Sequence, residues 1–199
     1  MALFPRLRTL MVISVYIISF PAPRSMRQWV KWSDDPWYRV KVEITVENLT
    51  SFPLLRPVLR LVKGVNSSSP ADIDPNSEKT FNVRLVKTSL YGTYGTVSWE
   101  VSGENRRFVV MWSAPYSFDL YSNWMGLGLT TQGQTDVAAG DTWFDQMYYK
   151  KSSELLKHII KKFKTDENPV NLRVDDFNIS GTMTSGHHAK IKIQFQVTK

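Results

Sequence analysis

From Tyr38 the chain alternates. Val40, Val42, Ile44 and Val46 are apolar, while Arg39, Lys41, Glu43, Thr45 and Glu47 beside them are polar. That is the period of a strand with one buried face. Similar patterning predicts strands over residues 55–63, 80–87, 96–101, 107–112, 123–130, 173–180 and 188–198. The last is the cleanest: Lys190, Lys192, Gln194 and Gln196 alternate with Ile191, Ile193, Phe195 and Val197. Residues 66–77, with Pro70 and Pro75, and the Ser102-Gly103-Glu104-Asn105 stretch read as turns. Many short strands at close spacing imply an all-β sandwich.

One region departs from alternation. Residues 141–164 contain no Gly or Pro, and Leu155, Leu156, Ile159, Ile160 and Phe163 recur at helical spacing. The spacing predicts a basic amphipathic helix, with Lys157, His158, Lys161, Lys162 and Lys164 opposite the apolar face. Asp141 or Thr142 would cap its start, and Asp145 would reach back to Thr142 in a capping box.

Composition changes this picture little. The 199 residues are 42% hydrophobic, enough for one domain with a core. The net charge of +7 favours an anionic partner, a phospholipid surface or nucleic acid, without specifying a fold. No nucleic-acid recognition motif accompanies it, so nucleic acid is not expected as a partner. Cysteine is absent, which excludes disulfides and thiolate metal sites. Aromatic residues make up 13%, suiting both a sheet core and a membrane–water interface.

Residues 1–25 have a basic front, an apolar run from Leu10 to Phe20 and a Pro-Ala-Pro-Arg-Ser tail. This is the layout of a secretory signal peptide, and the run is shorter than the ~20 residues of a spanning helix. Residues 26–199 then form one domain. Sequons at Asn48, Asn66 and Asn178 permit glycosylation.

His187 and His188 are adjacent, so on a strand they would point to opposite faces. With His158 the only other histidine, no metal site is expected. Asp34-Asp35 and Asp175-Asp176 read as turn acids. The chain lacks a nucleophile elbow and a Gly-rich phosphate loop, and reads as a non-enzyme with no cofactor.

Residues 112–125 run Trp-Ser-Ala-Pro-Tyr-Ser-Phe-Asp-Leu-Tyr-Ser-Asn-Trp-Met. This stretch resembles the signature loop of the actinoporins, the sea-anemone cytolysins related to fungal fruit-body lectins. Asp145-Gln146-Met147-Tyr148-Tyr149 is similar to the family's membrane-facing helix, and residues 184–191 to its closing hairpin and strand. The resemblance implies a β-sandwich with flanking α-helices and a phosphocholine pocket lined by Ser113, Pro115, Tyr121, Tyr148 and Tyr149. It also implies membrane contact at Leu120, Trp124, Met125 and Phe144. The implied function is a secreted, pore-forming cytolysin that recognises phosphocholine lipid headgroups of the sphingomyelin type. Such a protein is monomeric in solution and oligomerises on the target cell membrane.

Leu120 stands where many members carry an aromatic, and Phe144 where the family has Tyr. The amphipathic N-terminal pore helix of the family has no ordinary counterpart before residue 38. Membrane binding is therefore better supported than pore formation. The alternative is a non-lytic, lectin-like module for lipid or carbohydrate. For Trp112, Tyr116 and Phe118 the expected place is the sandwich core.

Overall fold

The computed structural model describes residues 39–86, 90–151 and 153–198. The predicted leader and Asp34-Asp35 lie outside them. Among the described residues the chain runs β1 (Lys41–Asn48), β2 (Leu54–Lys63), β3 (Val65–Ser68), β4 (Ser77–Arg84), β5 (Thr93–Val101), β6 (Arg106–Ala114) and β7 (Asn123–Thr130). It continues through α1 (Thr142–Tyr148), β8 (Leu156–Phe163), β9 (Val170–Val174), β10 (Phe177–Met183) and β11 (His188–Val197). The expected β-sandwich is present, with one short flanking helix among the described residues.

The strands form a six-stranded sheet, β3-β4-β1-β11-β10-β9, and a five-stranded sheet, β2-β5-β6-β7-β8. In the larger sheet the first strand pairs in parallel with the last, Val42 opposite Ala189 and Ile44 opposite Ile191. The alternation read in β1 and β11 therefore points both strands' apolar residues to the same side. They meet Trp99, Phe108, Val110, Trp112 and Leu127 of the other sheet in one buried core. Each Val, Leu, Ile or Phe so buried stabilises the fold by roughly 1.5–3 kcal/mol. Trp112 is core as expected; Tyr116 and Phe118 are only half-buried.

The outer face of the five-stranded sheet carries a second apolar cluster of Val109, Met111, Trp143, Phe144, Met147 and Leu156. It seats α1. Gly126 makes the seat close: a Cβ there would stand 2.8 Å from Met147 Cε.

The predicted helix over residues 141–164 is corrected. Only its first third is helical, and residues 156–163 form the edge strand β8, paired with β7 from Asn123↔Phe163 to Thr130↔Leu156. A recurrence of four fits a period of two as well as one of 3.6, which is why the pattern misled. Leu156 and Ile160 pack in the cluster beneath α1, whereas Ile159 and Phe163 pack in the main core. The apolar residues thus divide between two faces. The open edge of β7 supplies eight residues with ladder partners, and tertiary pairing overrides local preference.

The expected capping of α1 differs too. Asp141 makes no side-chain cap bond, and the Thr142 hydroxyl donates to the Ala139 carbonyl at 2.6 Å. The helix ends in a Schellman turn: Lys151 N–H donates to Gln146 O at 2.8 Å and Lys150 N–H to Met147 O at 3.1 Å. Lys150 occupies the left-handed position, φ 53°, where glycine is usual. The stretch read as one strand over 173–180 is two, broken at a turn where Asp175 has φ 50°. Asp175 and Asp176 are turn acids, as read.

Candidate functional site

Strand register builds the floor of the site. Lys63 of β2 lies opposite Tyr94 of β5, Tyr94 opposite Ser113 of β6, Ser113 opposite Trp124 of β7, and Trp124 opposite Lys162 of β8. Paired residues share a face. A row of Lys-Tyr-Ser-Trp-Lys therefore crosses the whole five-stranded sheet on its outer side.

The helix roofs this row. Phe144 sits 5.2 Å from Tyr94, and Tyr148 lies 6.1 Å from Trp124 at 66°. Phe144 and Tyr148 stack on each other at 5.3 Å, and Tyr149 stands edge-on to Tyr148 at 89°. Burial pushes the Tyr94 phenol above its ordinary pKa, with the neighbouring Tyr149 adding to the shift. Floor and roof enclose a cavity of about 460 Å³ that also takes in Pro115, Tyr116 and Tyr121. That volume is within the range of small-ligand sites, roughly 300–1,000 Å³.

All five residues expected in the pocket, Ser113, Pro115, Tyr121, Tyr148 and Tyr149, line this one cavity. Of the four expected membrane contacts, Leu120 is 77% exposed beside the mouth. Trp124 is half-buried in the floor. Met125 is corrected: it is fully buried, because the residue after Trp124 on a strand points the opposite way, against Trp112 in the core. Phe144 is corrected as well. At 7% exposure it is held between Tyr94 and Tyr148, and too little of its ring is free to enter a lipid layer.

The Tyr121–Trp124 motif thus divides its work. Tyr121 stands at the mouth and Trp124 in the floor, while buried Asn123 points to the other side. Its Nδ2 donates to the carbonyls of Thr184 (3.0 Å) and Gly186 (2.8 Å), tying the β10–β11 hairpin to this end of the sandwich. From that hairpin, His187 Nε2 lies 3.0 Å from the Tyr116 carbonyl and supports the loop from below.

Sequence reasoning missed Leu90, Tyr91 and Tyr94, which bring a third chain segment to the cavity. Tyr91 is 69% exposed, comparable with Tyr149 at 63%. The available signal was Tyr91-Gly92. Gly92 has φ 85°, and a Cβ there would collide with the Ala114 carbonyl. Only glycine lets this loop approach the Pro115 loop so closely.

The predicted basic face is also redistributed. Lys162 belongs to the floor row, and Lys161 pairs with Asp166 at 2.8 Å. Lys164 donates to the Asp119 carbonyl at 3.1 Å. Among the described residues, no helix is long and apolar enough to cross a membrane.

Comparison with known proteins agrees with this architecture. No protein-family model matches the chain. Tereporin-Ca1 of Terebra anilis is 46% identical over 165 residues, spanning 81% of this chain and 87% of the relative. The chain belongs to the actinoporin-like family. Conoporin-Cn1 of Conus consors, another relative, is 36% identical over 159 residues, 80% of this chain and 63% of its own length. Among solved structures, the lipid binding protein Nakanori superposes with a TM-score of 0.62 at 11% identity, covering 79% of this chain and 71% of that one. At that identity the likeness concerns the fold alone.

Proposed function

We propose that this protein is a secreted membrane-binding protein that takes a phosphocholine headgroup into the aromatic cavity and assembles on the membrane into pores. The observation that carries the reading is that Tyr121, Trp124, Tyr148 and Tyr149 line one cavity together with Ser113. A trimethylammonium group has no hydrogen to donate and is held by ring faces, at roughly 0.5–2 kcal/mol per ring. Ser113 and Tyr148 carry hydroxyls that can donate to the attached phosphate. The porin names of the relatives support the pore-forming class. Residues 1–25 act as a leader removed on secretion, and the mature chain is a monomer until it meets lipid.

Vesicle sedimentation and dye release on one preparation test this reading. Tyr148→Ala with Tyr149→Ala should weaken binding to sphingomyelin or phosphatidylcholine vesicles by about 1–4 kcal/mol, two rings' worth. The melting temperature should change little, and dye release should fall in step with binding. A folded double variant that binds choline vesicles like the parent removes the assignment. Glycan binding without dye release would favour the lectin-like alternative.

A further inference from the structure

Three of the rings that line the aromatic cavity have one of the protein's own cations beside them. Lys63 closes one end of the floor row and Lys162 the other. Lys150 Nζ stands 5.9 Å from the Trp124 ring centre, Lys151 Nζ 5.5 Å from Tyr149, and Lys63 Nζ 5.7 Å from Tyr91. All four lysines are exposed. Among the described residues the ion pairs are Arg56–Glu100, Arg106–Asp175 and Lys161–Asp166, and none engages these four.

Lys150 adds an independent observation. It occupies the left-handed turn that ends α1, a conformation that favours glycine. That turn sets Lys150, rather than a glycine, beside the Trp124 ring. The adjacent Lys151 extends the same charge to the cavity mouth.

We propose that this lysine collar binds the net negative headgroup of an acidic phospholipid beside the choline lipid held in the cavity. The inference rests on the cavity facing the membrane and names a second lipid class for that surface. Exposed Tyr91 and Tyr149 stand beside two of these cations, Lys63 and Lys151. Apolar contact and charge attraction are therefore presented to one lipid surface together.

The test compares sedimentation with vesicles of phosphatidylcholine alone and of phosphatidylcholine mixed with phosphatidylserine. The parent chain should bind the mixed vesicles more tightly at low salt, by about fivefold per engaged lysine. The preference should vanish near ~1 M salt, where the screening length is about 3 Å. Lys150→Gly with Lys151→Gln should lower the mixed-to-choline affinity ratio by roughly 30-fold. Lys150→Gly relieves the left-handed strain, so the melting temperature should hold or rise, which separates lost charge from lost fold. Lys63→Gln with Lys162→Gln should lower the ratio in the same way.

Lys190→Gln with Lys192→Gln, on the outer face of the other sheet, removes equal charge and should leave the ratio unchanged. An equal loss in that variant, or a parent ratio of one at low salt, overturns the proposal. Failure of the choline reading shows differently: the Tyr148 and Tyr149 double variant would bind choline vesicles normally while the acidic-lipid preference persists.

Discussion

The outer faces of the two sheets differ in what their side chains can hold. On the six-stranded sheet, Thr45, Glu47, Glu78, Ser180, Thr182, Lys192 and Gln194 surround a shallow cavity of about 300 Å³ with no aromatic lining. Its polar groups already satisfy one another in places: the Thr45 and Thr80 hydroxyls lie 2.8 Å apart, and Gln194 Nε2 donates to Glu47 at 2.9 Å. On the five-stranded sheet the cavity has aromatic walls and a hydroxyl in its floor, with lysines beside three of its rings. A pleated face with polar alternation is a solvated surface. The same face becomes a site when a helix is laid over it and the strands beneath carry rings in register.

The largest effect should come from the core that both faces share. Met125→Ala removes a fully buried side chain that packs against Trp112 and Gly181, and should cost about 2–5 kcal/mol of stability. Lipid binding per folded molecule should be unchanged. Trp124→Ala, one residue earlier, should do the reverse, with vesicle binding lost and stability little altered. Denaturant titration beside vesicle sedimentation checks both. If Met125→Ala lowered binding without lowering stability, the assignment of opposite faces would fail.

An intermediate effect should follow from crowding the helix seat. Gly126→Val places branched carbons against Met147 and should destabilise by about 1–3 kcal/mol. Because α1 carries Tyr148, lipid binding should weaken with it. Thr182→Val, on the outer face of the other sheet, should stay within about 0.5 kcal/mol and leave binding intact. Equal responses would show that both faces are merely solvated.

The smallest effects should appear with pH, at opposite ends of the outer row of β5. Glu100 donates no proton when ionised and accepts from Arg56 Nε at 2.9 Å, which holds its carboxyl below the ordinary value. The stabilising contribution of this pair is present above the unfolded carboxyl pKa of about 4.3 and is lost as pH falls through the depressed folded value. At the site end, Tyr94 is raised. Its contribution is full below the unfolded phenol pKa of about 10 and is lost as pH rises through the higher folded value. Glu100→Gln should flatten the acid limb of a melting-temperature profile and Tyr94→Phe the alkaline limb. If either variant flattened both limbs, the two ends would be coupled rather than separate.

The sequence by itself determined the sandwich, because period-two alternation marks a half-buried strand wherever the chain later places it. Through its resemblance to a known family, the 112–125 loop with the Tyr148–Tyr149 pair also pointed to five residues that line one cavity. Leu90, Tyr91 and Tyr94 left only the Tyr91-Gly92 pair as a trace, because their approach depends on a glycine turn folding back onto a distant loop. Only the tertiary structure decided between helix and strand at 156–163, where a spacing of four satisfies both periods and the open edge of β7 chose the ladder. It alone decided which of Trp124 and Met125 faces the core and which the outer side of β7. The cross-strand row from Lys63 to Lys162 is likewise invisible in one dimension: its members are 99 residues apart, and register, a property of pairing, brings them into line.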